Sequence, residues 1–277
     1  MPRSFFHIHL VSDATGETLN TVARAATAHY SNFQPIEHIY ALVRSQRQLQ
    51  RVLRNIEDNP GIVLYTMVDD GLRRELENAC SKLDVPAISI LDPVISALAS
   101  YLNAKSQPQM GGQHAMDAEY FSRIEAMNFT MMHDDGQHTE NLAEADIIIV
   151  GISRTSKTPT SIYLANRGVK TANVPLVPGI PLPENLETLK GPFVVGLVAS
   201  PQRIAQIRRN RLLSINEARQ TNYADKDVIA DELVHARKLC TKNDWPLIDV
   251  TRRSIEETAA AILNLLNDRQ KRGVVVS

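Results

Sequence analysis

Short runs of apolar and β-branched residues alternate with amphipathic stretches along most of this chain. The runs at 5–11, 36–43, 62–68, 85–91, 147–150, 171–177, 193–198 and 247–250 predict strands. Helical spacing of apolar positions follows the first run, through Leu19, Val22, Ala23 and Ala26, and recurs at 46–57, 71–82, 117–127, 159–166, 201–211, 225–240 and 255–268. Parallel strands need crossover connections over the sheet faces, and this alternation supplies them. The predicted class is α/β: a Rossmann-like N-terminal unit plus a P-loop kinase-like α/β unit, both with mainly parallel sheets.

The pattern breaks at 103–117, where Gly, Gln, Pro and polar residues replace periodic apolar ones, as in a linker or loop. The predicted organisation is therefore a first domain at 1–105, a linker and connecting helix at 106–140, and a nucleotide-binding domain at 141–277. Ser254-Ile-Glu-Glu257 fits a capping box and marks the start of the last helix. There is no internal sequence repeat, although both halves show the same alternation.

The 277 residues, 43% hydrophobic and 22% charged, can bury a substantial core without staples. Thirty Lys and Arg against thirty-one Asp and Glu leave a net charge of -1, which gives no global field for nucleic acid or anionic lipid. Phosphate recognition, if present, has to be local. Cys80 and Cys240 stand apart, without His or Cys at metal-ligand spacing, and read as free thiols of a reducing compartment. The first residues lack the uninterrupted apolar core of a secretory signal, and no stretch approaches a bilayer span. The expected location is the cytoplasm.

The candidate chemistry centres on Gly151, Ile152, Ser153, Arg154, Thr155, Ser156, Lys157 and Thr158. They follow a buried run and open a helix with Pro159 in its first turn, the strand-loop-helix setting of a phosphate cradle. Gly151, Lys157 and Thr158 match a Walker A loop, but Ser156 stands where that loop has its second glycine, the residue that takes positive φ freely. The competing reading is an ordinary βα turn with a solvated lysine and capping hydroxyls. The turn from Ser12 to Thr18 offers a second polar strand-to-helix junction, where Asp13 is a candidate base or magnesium ligand and capping is the alternative. His133-Asp134-Asp135-Gly136 gathers an imidazole and two carboxylates, suited to proton transfer, metal binding or a solvated turn. Arg203, Arg208, Arg209 and Arg211 offer cations for a transferring phosphate or form a solvated face, and Asp249 ends a strand as a Walker B acid would. No four-ligand set supports zinc.

Five segments together resemble a known family. They are His9-Leu-Val-Ser-Asp-Ala-Thr-Gly-Glu-Thr-Leu, Tyr120-Phe-Ser-Arg-Ile-Glu-Ala, His133-Asp-Asp-Gly, Gly151-Ile-Ser-Arg-Thr-Ser-Lys-Thr-Pro-Thr-Ser and Ile248-Asp-Val-Thr-Arg-Arg-Ser-Ile-Glu-Glu-Thr-Ala. The chain is similar to the bacterial pyruvate, phosphate dikinase regulatory proteins, which are related to the phosphoenolpyruvate synthase regulators. The resemblance implies a bifunctional enzyme. It uses ADP, with Mg2+ beside it, to phosphorylate a threonine near a phosphorylated catalytic histidine of the dikinase. It then removes that phosphate with inorganic phosphate, forming pyrophosphate. The segment from Gly151 to Thr158 is then the ADP site, Lys157 and Arg208 neutralise charge, and Asp13, Asp134 and Asp135 are the candidate bases. A homodimer is a further expectation of the resemblance. Rival expectations are the same chemistry on phosphoenolpyruvate synthase, a small-molecule kinase, and a nucleotide sensor without transferase activity.

Overall fold

The computed structural model describes residues 4–105, 118–214 and 222–274. The chain divides into two compact units, Met1–Ala115 and Met116–Ser277. In the first, strands β1 (Ser4–Ser12), β2 (Phe33–Tyr40), β3 (Gly61–Thr66) and β4 (Ala87–Ser89) form a parallel sheet in the order β2-β1-β3-β4. The connections are α1 (Glu17–Thr27), α2 (Gln46–Asp58) and α3 (Asp70–Lys82). Alternation along β1 and β3 splits the core between the two faces. Ile8, Leu10 and Leu64 cluster with Leu19 and Ala23 of α1. Val11, Val63 and Tyr65 cluster with Leu49, Val52 and Ile56 of α2 and Leu72, Leu76 and Cys80 of α3.

Three elements depart from the sequence expectation, the first being β4, which keeps only three residues of the run expected at 85–91. The second strand ends at Tyr40 rather than 43, because Leu42 turns to φ 58° and the Leu42 and Val43 amides bond the Ala14 and Ser12 carbonyls. A helix α4 (Asp92–Leu102) that was not predicted follows β4. It buries no residue, although Val94, Ile95, Leu98 and Leu102 fall at helical spacing along it.

In the second unit β5 (Ile147–Gly151), β6 (Thr171–Pro175), β7 (Phe193–Val198) and β8 (Leu247–Asp249) form a parallel sheet in the order β6-β5-β7-β8. β5 and β7 are buried throughout, which is why they read as unbroken apolar runs. The helices are α5 (Ala118–Met132), α6 (Lys157–Ala165), α7 (Pro201–Ser214), α8 (Lys226–Lys242) and α9 (Ile255–Val274). α5 and α9 pack on α6, and α7 packs on α8. Right-handed crossovers running opposite ways from β5 and β7 put these two groups on opposite faces. Of the expected linker, 106–117 lies outside the described residues. α5, expected as a connecting helix, packs on α6 and β6, and its Thr130 hydroxyl accepts the Thr171 amide at 3.1 Å. It is built into the second unit.

Gly168 (φ 80°) ends α6 in a Schellman motif, with Val169 N–H on the Leu164 carbonyl and Gly168 N–H on the Ala165 carbonyl. The capping box forms as predicted: Glu257 N–H bonds Ser254 Oγ at 3.1 Å, and Ser254 N–H bonds Glu257 Oε2 at 2.9 Å. No helix among the described residues is long and apolar enough to cross a membrane.

Candidate phosphate-binding site

In each sheet the chain leaves its first strand on one side and returns on the other, so the carboxyl ends of β1 and β5 are topological switch points, where open α/β sheets bind ligands. β5 ends at Gly151. A Cβ there would lie 2.6 Å from the Leu197 carbonyl oxygen and 2.9 Å from Thr155 Oγ1, so only glycine fits. The loop then turns through two left-handed residues, Arg154 (φ 73°) and Ser156 (φ 61°). Ser156 thus takes the conformation the missing glycine would take, and the backbone accepts the strain. Thr155 Oγ1 donates to the Ile152 carbonyl at 2.9 Å and closes the loop on itself.

α6 starts at Lys157, with no side chain capping its first amides and Pro159 in the first turn. Lys157 is 6% exposed and donates from Nζ to the Ile152 carbonyl at 3.2 Å. Burial pushes its ammonium down to about 8, opposed by the nearby carboxylates of Asp135 and Asp134. A solvated lysine, the competing expectation, is ruled out by this burial. A cavity of about 270 Å³ opens above the helix start, lined by Asp135, Ser153, Arg154, Ser156, Lys157, Thr158, Pro159 and Ile207. Its size suits the phosphate end of a nucleotide, since whole-ligand pockets run from about 300 Å³ upward. Gly151, Ile152 and Thr155 are buried and shape the loop, while the other five residues of the motif line the cavity.

The His133–Gly136 segment comes to the same place. Thr158 Oγ1 donates to Asp134 Oδ1 at 2.9 Å, and Asn173 Nδ2 donates to the same oxygen. Asn173 Oδ1 in turn accepts the Asp135 amide at 3.1 Å, and the Asn173 amide bonds the His133 carbonyl at 3.0 Å. Asn173 on β6 therefore holds both aspartates against the loop. His133 is 3% exposed, stacks on Phe129 and donates from Nδ1 to the Phe129 carbonyl at 2.7 Å, which fixes the turn to the end of α5. Asp135 (φ 54°) is the aspartate that lines the cavity.

Arg208 is 1% exposed and does not line the cavity. Its guanidinium forms a bidentate pair with Glu232 of α8 at 3.2 and 2.6 Å, and bonds the carbonyls of Tyr223 at 2.9 Å and Ser153 at 3.2 Å. It braces the loop from behind, whereas Arg154 is the arginine facing the cavity. Arg203, Arg209 and Arg211 are exposed along α7. Asp249 accepts from the Thr251 amide and hydroxyl at 2.8 and 2.5 Å, at the end of the edge strand β8, and is not in the cavity wall. Asp13 lies in the first unit, buried, with Oδ2 on the Val68 amide at 2.6 Å and its carbonyl on Arg44 Nε at 2.7 Å. Among the described residues no group of three or more His, Cys, Asp or Glu side chains is placed to hold a metal ion on its own.

Asn173, Glu232 and Tyr223 were not singled out from the sequence. Asn173 breaks the apolar run of β6, and a buried amide inside a strand is the one signal that marks it.

A family model described as kinase/pyrophosphorylase matches residues 8–263. A pyruvate, phosphate dikinase regulatory protein of Bradyrhizobium diazoefficiens is 58% identical over 274 residues, 98% of each chain. Proteins of the same name from Afipia carboxidovorans and Rhodopseudomonas palustris (strain BisB5) are 56% identical over 275 residues and 59% identical over 269 residues. These alignments cover 97% of both chains for the first, and 97% of this chain and 96% of the relative for the second. The chain belongs to the kinase/pyrophosphorylase family, whose activity is of the phosphotransferase type.

Proposed function

We propose that this protein inactivates and reactivates pyruvate, phosphate dikinase by moving one phosphoryl group on and off a threonine of that enzyme, with ADP as donor and inorganic phosphate as acceptor. The observation that carries the reading is the buried Lys157 at the start of α6, in one cavity with Arg154 and Asp135. The target follows the names of the relatives.

In the forward reaction the threonine oxygen attacks the β-phosphorus of ADP, the bond to the bridging oxygen breaks, and AMP leaves. In reverse an oxygen of inorganic phosphate attacks the phosphothreonine phosphorus, and pyrophosphate leaves as the threonine oxygen recovers a proton. Both steps require in-line placement and neutralisation of oxygen charge more than covalent help. Lys157, Arg154 and the free amides of α6 supply that charge. Asp135 takes and returns the threonine proton, because Asp134 is already engaged by Thr158 and Asn173. Were magnesium to arrive with the nucleotide, the Asp134 carboxylate and the Thr158 hydroxyl would be the oxygen donors to hold it, and it would supply further neutralisation of phosphate charge.

The test is incubation with purified dikinase and, separately, purified phosphoenolpyruvate synthase, first with ADP and then with phosphate. Dikinase activity lost with ADP and regained with phosphate supports the reading. Modification of the synthase alone moves the target, and binding of ADP with no turnover on either leaves a sensor.

A further inference from the structure

Tyr223 sits in a short turn (Asn222–Ala224) that no motif in the sequence marks. Its hydroxyl lies 3.1 Å from Ser153 Oγ and accepts from Arg154 Nε at 3.4 Å. Its ring lies under the Arg208 guanidinium, 4.6 Å from the carbon to the ring centre, and its carbonyl bonds the same guanidinium. Burial alone would raise the phenol's ionisation range. The hydrogen bonds with Ser153 and Arg154 and the charges of Arg154 and Arg208 outweigh it and hold the phenol below its ordinary range.

We infer that Tyr223 is a positioning residue: its hydroxyl latches the Ser153-Arg154 arm of the loop and aims the free nitrogens of Arg154 at an anionic phosphate in the cavity. Arg154 is in the left-handed region, where a long side chain has no local backbone reason to point inward. Using Nε as the tether leaves the two terminal nitrogens in a planar fork for phosphate oxygens. Arg208 fixes the backbone on both sides of the latch independently, since it holds the Ser153 and Tyr223 carbonyls. Removing only the hydroxyl therefore leaves the frame in place.

This inference rests on the cavity being a phosphate site, and the experiment separates the two. ADP and pyrophosphate binding are measured by calorimetry for the wild type, Tyr223→Phe, Arg154→Ala and the double variant. The latch predicts that Tyr223→Phe binds ADP about tenfold more weakly with an unchanged thermal midpoint, and that it costs nothing further in the Arg154→Ala background. Wild-type affinity in Tyr223→Phe, or the same loss in both backgrounds, overturns it. If the wild type binds pyrophosphate but not ADP, the nucleotide reading fails alone and pyrophosphate gives the same four-way comparison. If it binds neither, both readings fall.

Discussion

Thr158 and Asp134 are joined by a hydrogen bond of 2.9 Å, which ties the last residue of the candidate loop to a turn packed on β6. Asn173 donates to the same carboxylate. Asp134→Ala leaves two donors without their acceptor in a part-buried setting, at about 1–3 kcal/mol of stability. It also frees the turn that carries Asp135, so phosphoryl transfer falls by at least about tenfold for each 1.4 kcal/mol of lost transition-state positioning. Urea denaturation together with transfer rates checks both, and unchanged values in either would detach this turn from the site.

Ser156→Gly is predicted to stabilise. A non-glycine residue at φ 61° carries about 1–2 kcal/mol of steric cost, while glycine adds back about 0.4–1 kcal/mol through the freedom of its unfolded chain. The net expectation is a gain of about 0.5–1 kcal/mol by chemical denaturation, with ADP affinity retained. A loss of stability would mean that the Ser156 side chain contributes more than its strain costs.

Gly151→Ala acts in the opposite direction. The added methyl meets the Leu197 carbonyl at 2.6 Å, and the β-sheet backbone has no room to yield. Overpacking of this kind costs about 1–3 kcal/mol and displaces the loop. Thermal unfolding should fall by several degrees, with ADP binding lost.

Lys157 makes the site pH-dependent in two ways. Its ammonium form binds anions, and burial brings its ionisation down to about 8, so ADP affinity is flat below that pH and declines above it. Lys157→Met removes the dependence along with the affinity. For stability the sign is reversed. A lysine whose folded value lies below its unfolded value of about 10.5 destabilises the fold below pH 8, and the penalty is relieved as pH rises through that window. Lys157→Met should therefore be more stable than the wild type at pH 7, by up to about 3 kcal/mol, with the difference shrinking towards pH 10.5. Paired denaturation curves at pH 7 and pH 10 check it, and a constant difference would place the stabilisation elsewhere.

β5 and β7 were legible because a strand buried on both faces must be apolar throughout, and the turn after β5 was legible because a glycine, hydroxyls and a lysine stand in series between a strand and a helix. What the sequence could not convey was convergence. Asp134 reaches Thr158 only because Asn173, on a strand paired beside β5, holds the turn in register. Arg208 looked like a ligand-facing cation because helix spacing does not reveal that Glu232 and two carbonyls already occupy it. α4 was legible in principle: Val94, Ile95, Leu98 and Leu102 fall at helical spacing over a helix that buries no residue.

In the proposed reaction the β-phosphoryl group of ADP passes to a threonine of pyruvate, phosphate dikinase at the Lys157 cavity and is later removed as pyrophosphate. ADP labelled in the β-phosphate, incubated with this protein and purified dikinase, follows that group through both steps. The expected result is label on a dikinase threonine with AMP released, passage of that label into pyrophosphate on adding unlabelled phosphate, and neither event with Lys157→Ala. Label that stays in ADP, moves to a small molecule, or transfers equally well with Lys157→Ala would contradict it.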